Sequence, residues 1–221
     1  MSEIRVLETS DRLWWVEPEI GPFGHGVVLH GYGQTHLEAL PPAILLGQEG
    51  YSLVLTDLPG HGNHPDPLTA DGALALAHQL LDEVAPDGPL LALGFSLGAR
   101  LALSLPVDVA IAISPPGPAE FGGDRRELLR ELRPRMVRES STLAGLTETL
   151  TVLNQQPIRA KRHLVVVGQR DLPSVLAFAD AQGPGVVRIR GADHHGTWWH
   201  PDTWRIVTRW IGDAITPPVR G

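Results

Sequence analysis

Leu90-Leu91-Ala92-Leu93-Gly94-Phe95-Ser96-Leu97-Gly98 is an apolar run that breaks into Gly-x-Ser-x-Gly. An apolar strand ending in this pattern has the form of a nucleophile elbow, in which a sharp strand-to-helix turn holds a serine hydroxyl out from the sheet. A hydroxyl attacks poorly unless a base removes its proton, so the turn must present it where an imidazole and a carbonyl carbon both reach it. The turn strains the backbone at Ser96, and Gly94 and Gly98 leave room where side chains would strike the neighbouring strand and helix. In a chain with 24 glycines, the bland reading is that Gly94 ends a strand, Ser96 caps a helix and Gly98 is a packing contact. The surrounding sequence decides between the two.

Outward from this stretch, short apolar runs alternate with helical patterns. Val27–His30, Leu53–Thr56, Leu90–Phe95, Val109–Ser114, Leu164–Gly168 and Val186–Arg190 are each four to seven residues long and bounded by Gly, Pro or Asp. Continuous apolarity, as opposed to alternation, marks strands covered on both faces and favours a parallel sheet between helices. Ile4 to Val16 reads as two further strands around Thr9-Ser10-Asp11. Helices are expected over Leu68–Ala85, Ser96–Leu105 and from His200-Pro201-Asp202 onward, where Ile206, Val207, Trp210, Ile211 and Ala214 share a face. The expected fold is therefore a doubly wound α/β sheet in one domain over residues 1–221.

Residues 115–157 separate two strand candidates by more than an ordinary connection. Leu128, Leu129, Leu132, Met136 and Val137 have helical spacing, as do Leu143, Leu146, Leu150 and Leu153. The stretch reads as a short helical cap over the end of the sheet. Its arginines, Arg125, Arg126, Arg130, Arg133, Arg135 and Arg138, are balanced by Glu120, Asp124, Glu127, Glu131, Glu139 and Glu148, which fits a solvated face of paired charges better than an anion site.

If Ser96 is a nucleophile, the chain must also supply an oxyanion hole, a base and an acid. Val27 to Gly33 is an apolar strand running into His30-Gly31-Tyr32-Gly33, a turn whose backbone N–H groups suit a developing oxyanion. The amide of Leu97, at the head of the next helix, is a second donor. Asp171 lies just past the run Leu164–Gly168, at the strand edge where open α/β sheets hold their ligands. Gly191-Ala192-Asp193-His194-His195 follows the last strand candidate, so one of two adjacent histidines completes the set.

Together these motifs resemble the α/β-hydrolase family over most of the chain, from His30-Gly31-Tyr32-Gly33 through Asp57-Leu58-Pro59-Gly60-His61-Gly62 and the elbow to Asp171 and Gly-Ala-Asp-His. The resemblance implies a mostly parallel sheet of seven to eight strands with helices on both faces. It implies nucleophile, acid and base in the order Ser96, Asp171, His194, with His194 exchanging the proton and Asp171 orienting the imidazole. It also implies an oxyanion hole from the amides of Tyr32 and Leu97, and hydrolysis of a carboxylic ester or thioester through an acyl-enzyme, with no cofactor. His194 fits the family pattern better than His195, which is left to line the pocket or pack on Trp198. Some members take the acid from the strand after the elbow, but here that strand ends Ile113-Ser114-Pro115-Pro116 with no carboxylate before Glu120. Tyr32, Phe95, Trp198 and Trp199 are candidate walls of an apolar acyl pocket, although tryptophans that only pack the last helix read the same way.

Other readings of the same fold are a cofactor-free lyase, a perhydrolase, a C–C bond hydrolase, or a module that binds a small apolar ligand without turnover. A serine nucleophile argues against the epoxide hydrolases and dehalogenases, which attack with an aspartate. His61, His64, His194, His195 and His200 match no standard zinc spacing. A net charge of -7 argues against a nucleic-acid surface, and the absence of cysteine excludes a thiolate nucleophile or a disulfide framework. With neither a membrane span nor a secretory leader legible in the sequence, the expected location is the cytoplasm.

Overall fold

The computed structural model describes residues 3–9, 12–84, 88–117 and 143–215. The elements in chain order are β1 (Ile4–Glu8), β2 (Trp14–Pro18), β3 (Gly24–Leu29), α1 (His36–Gln48), β4 (Tyr51–Leu55), α2 (Ala70–Glu83), β5 (Leu90–Phe95), α3 (Leu97–Ser104), β6 (Val109–Ile113), α4 (Leu143–Gln155), β7 (Arg162–Arg170), α5 (Pro173–Gln182), β8 (Val187–Asp193), α6 (His194–Trp199) and α7 (Pro201–Ile215). The strands form one eight-stranded sheet in the order β1-β2-β4-β3-β5-β6-β7-β8. β1 and β2 pair antiparallel, as do β2 and β4, whereas every pair from β4–β3 to β7–β8 is parallel.

The apolar runs are continuous because each strand serves two cores at once. Leu91, Leu93 and Phe95 of β5 and Val109, Ile111 and Ile113 of β6 face Ala39, Ala43 and Leu46 of α1, Trp198 of α6 and Val207 and Ile211 of α7. The alternate residues Ala92, Ala110 and Ala112 face α3, together with α2, α4 and α5. Small side chains on that face let α3 lie close to the sheet, and all eight of its residues are buried. Leu146, Leu150 and Leu153 of α4 belong to this second core. Leu128, Leu129, Leu132, Met136 and Val137 of the expected cap, and Ser10 and Asp11 of the expected first turn, lie outside the described residues.

Helix α1 is absent from the sequence reading, because Pro41 and Pro42 stand in its interior. A proline there removes an N–H from the helical ladder. The carbonyl that Pro42 leaves unpaired is that of Glu38, four residues earlier, and Trp198 Nε1 donates to it at 3.2 Å. The start of α1 is fixed by a reciprocal capping box between Thr35 and Glu38. Arg100 of α3, 4% exposed, donates from Nη2 to the Leu153 carbonyl in the last turn of α4 at 2.9 Å, where the negative end of the helix favours a cation. Burial lowers its pKa to about 10.

Candidate active site

The elbow is shaped by close backbone approach. A Cβ on Gly94 would lie 2.1 Å from the Gly98 carbonyl oxygen, and one on Gly98 would lie 2.1 Å from that of Leu29. Ser96 between them has φ +50°, in the left-handed region, and its side chain makes no cap to α3. Its amide is held by the Ile113 carbonyl at 2.9 Å, so β6 fixes the strained turn. The hydroxyl thus points away from the helix it precedes.

Its partner comes from the other end of the chain. Asp193 caps α6 by accepting from the Gly196 amide, and His194 is the first residue of that helix. The His194 ring rests on Phe95 with centroids 5.0 Å apart, and Phe95 rests in turn on Trp198 at 5.2 Å. From this seat His194 Nε2 lies 3.1 Å from Ser96 Oγ, and Nδ1 lies 2.7 Å from Asp171 Oδ1. An ionised carboxylate only accepts, so Nδ1 carries the proton and Nε2 offers its lone pair to the serine hydroxyl.

The Asp171 side chain is fully enclosed. Oδ1 also accepts from the Leu172 amide at 2.8 Å, and Oδ2 accepts from the Gly168 amide at 3.0 Å and from Ser114 Oγ at 2.6 Å. Burial alone would push its pKa up. The His194 contact, the Ser114 hydroxyl and the Gly168 amide outweigh that and hold it below the ordinary value. A β-bulge between Gly168 and Arg170 in the β7–β8 pairing brings the chain into this turn. Gly168 is required there, since a Cβ would meet the Ala192 carbonyl at 2.5 Å. Ser114 was not singled out from the sequence; a serine between a strand and two prolines carries no pattern of its own.

The two expected oxyanion donors come from the turn after β5 and the loop after β3. Leu97 heads α3 directly after Ser96, among the first amides of a helix, which have no intrahelical acceptor. Tyr32 follows Gly31 in the loop after β3, and the Gly31 amide is pinned by Gln34 Oε1 at 2.8 Å. Gly31 itself sits over the Phe95 ring, where a Cβ would lie 2.6 Å from Cδ1. Beneath the loop, His30 donates from Nδ1 to the Gly31 carbonyl and accepts the Leu58 amide at Nε2, each at 2.8 Å. The His61 ring stands edge-on to both His30 and Tyr32 at 5.2 Å. Burial lowers both histidines, His30 to about 3, so they tie the two loops together as neutral rings. Asp57 completes this support by accepting from His36 and from the Asn63 amide.

Of the expected pocket residues, His195 is exposed beside His194, whereas Phe95 is 1% exposed and Trp198 0% exposed. Phe95 and Trp198 form the floor under the imidazole, with Trp198 Nε1 committed to α1. They support the site from within and present no surface to solvent. Trp199 is half exposed.

Residues 27–219 match the alpha/beta hydrolase family, and the chain belongs to it. TT1662 from Thermus thermophilus is similar over 97% of this chain and 99% of its own, with 17% identity and a TM-score of 0.69. The monoacylglycerol lipase of Paleococcus ferrophilus is similar over 96% and 99%, with 16% identity and a TM-score of 0.65. A thioesterase domain from the curacin biosynthetic pathway is similar over 96% and 99%, with 19% identity and a TM-score of 0.61. At these identities the likeness is one of fold. Comparison of the sequence with curated proteins finds no match. Family and fold support a hydrolase, and no helix among the described residues is long and apolar enough to cross a membrane.

Proposed function

We propose that this chain is a serine hydrolase of a carboxylic ester or thioester, acting through an acyl-enzyme without a cofactor. The observation that carries this reading is the single imidazole of His194 held between Ser96 Oγ at 3.1 Å and Asp171 Oδ1 at 2.7 Å. Ser96 Oγ attacks the carbonyl carbon as its proton passes to His194 Nε2. The charge appearing on the carbonyl oxygen faces the amides of Leu97 and Tyr32, and the new imidazolium is balanced by buried Asp171. Collapse breaks the C–O or C–S bond, and the leaving group takes the proton back from His194. Water then repeats the cycle on the acyl-serine.

A fluorophosphonate probe tests the nucleophile: folded wild type is labelled and Ser96→Ala is not. Absence of labelling in wild type, or equal labelling of the variant, removes the hydrolase reading. p-Nitrophenyl esters of rising chain length beside acyl thioesters define the substrate. Failure on all of them while labelling persists moves the reading to a lyase or C–C bond hydrolase. The stretch 115–157 belongs to the same proposal as the cap that sets acyl length. Shortening it within residues 118–142 is expected to change chain-length preference more than labelling at Ser96.

A further inference from the structure

We propose that Ser114 is a positioning residue of the site, a fourth member that orients Asp171 and shares its charge; this rests on the serine-hydrolase reading above. Ser114 follows β6 and is completely buried. Its φ is +51°, a conformation that a side chain other than glycine adopts at a cost. The amide is held by the Val166 carbonyl at 2.7 Å, which pins the strained residue against β7. The result of that strain is a hydroxyl aimed at Asp171 Oδ2 at 2.6 Å. A glycine would fit the backbone more easily, so the side chain is what this position keeps.

The geometry defines what the hydroxyl does. Among the described residues Asp171 receives four donors, two on each oxygen, and of these only Ser114 and His194 are side chains. Because the carboxylate accepts only, Ser114 must donate, which fixes the rotation of the carboxyl plane and hence the direction of Oδ1 toward Nδ1. The bond also draws negative charge toward Oδ2. Without it, more of that charge is left to the imidazole, the protonated pair is favoured and less free base is available at low pH. The other charged groups around the pair are committed or turned aside: Arg170 donates to the Gly191 carbonyl, Asp193 caps α6, and His195 stands edge-on to His194 at 5.6 Å. After His194 itself, charge sharing at Asp171 falls first to the Ser114 hydroxyl and then to the Gly168 amide.

Ser114→Gly removes the hydroxyl and suits the backbone, whereas Ser114→Ala removes the hydroxyl and keeps the strained Cβ. The readout is the rate of fluorophosphonate labelling of Ser96 as a function of pH, with thermal unfolding measured alongside. Both variants are expected to label about tenfold more slowly at the plateau, the worth of one hydrogen bond to a charged group. Their acid limb is expected to move to higher pH by about half a unit to one unit. Ser114→Gly should melt at or above the temperature of Ser114→Ala, which separates the backbone effect from the hydroxyl effect. A folded variant of either kind with the plateau rate and acid limb of wild type overturns the proposal. So does a plateau loss without movement of the acid limb. If Ser96→Ala labels like wild type, the hydrolase reading itself has failed, a result distinct from any at Ser114.

Discussion

At Asp171 the carboxylate is enclosed, and four short contacts from the described residues, two on each oxygen, hold it in place of solvent. Asp171→Asn keeps the volume but places an N–H donor or a neutral oxygen opposite Nδ1, which favours the imidazole tautomer whose Nε2 already carries a proton. Labelling of Ser96 by the fluorophosphonate is expected to fall by about 10³- to 10⁴-fold, with unfolding little changed. Labelling within tenfold of wild type would remove Asp171 from the mechanism. Ser96, Asp171 and His194 stand out in the sequence because each follows an apolar strand and lies beside glycines that a tight turn needs. Ser114 and Gln34 do not stand out. Their contacts exist only once β6 lies against β7 and the loop after β3 closes on itself, and neither side chain has a spacing that foretells this.

Among the elements, α1 carries the clearest conflict between local and tertiary preference. Two interior prolines argue against a helix, and the donor that meets the carbonyl left open at Glu38 lies 160 residues away, in the Trp198 indole. Trp198→Phe keeps an aromatic ring on Phe95 and removes that donor along with part of the buried volume. It is expected to destabilise the fold by about 2 to 4 kcal/mol, roughly 5 to 15 °C in melting temperature. Trp199→Phe, on a half-exposed neighbour, is expected to stay within about 0.5 kcal/mol of wild type. Equal melting of the two variants would mean that the indole N–H does nothing for α1. The strands were more legible than this helix. Two-sided burial writes itself into a strand as an unbroken apolar run, while in α1 the spacing of Ala39, Ala43 and Leu46 and the Thr35/Glu38 box are overshadowed by two prolines. Of the stretch expected as a cap, residues 118–142 lie outside the described residues, and α4 joins the core through Leu146, Leu150 and Leu153.

For the molecule as a whole, buried ionisable groups set how it responds to acid. His30 and His61 are neutral when folded and titrate near 6.5 when unfolded, so protons bind the unfolded chain first. Stability is therefore full above about pH 6.5 and falls below it, by up to about 1.4 kcal/mol per pH unit for each such histidine. For His30 the loss levels off only near its folded value of about 3. Asp57 and Asp171, held below 3.8, add stability above that pH and withdraw it as pH falls further, in the same direction. Urea unfolding between pH 7.5 and 4.5 should give steadily lower midpoints, and His30→Asn should flatten the slope; an unchanged slope would mean that His30 is not the titrating group. The sheet order was not legible, since apolar runs say that strands are buried and not which lies beside which. That order has a consequence for how the protein is made. β5 gains both its neighbours, β3 and β6, by residue 113, whereas Asp171 and His194 arrive with the last two strands at the edge of the sheet. On the serine-hydrolase proposal, a chain still leaving the ribosome can thus hold a formed elbow whose base has yet to arrive, and Ser96 is expected to gain reactivity only after β7, β8 and α6 have been made.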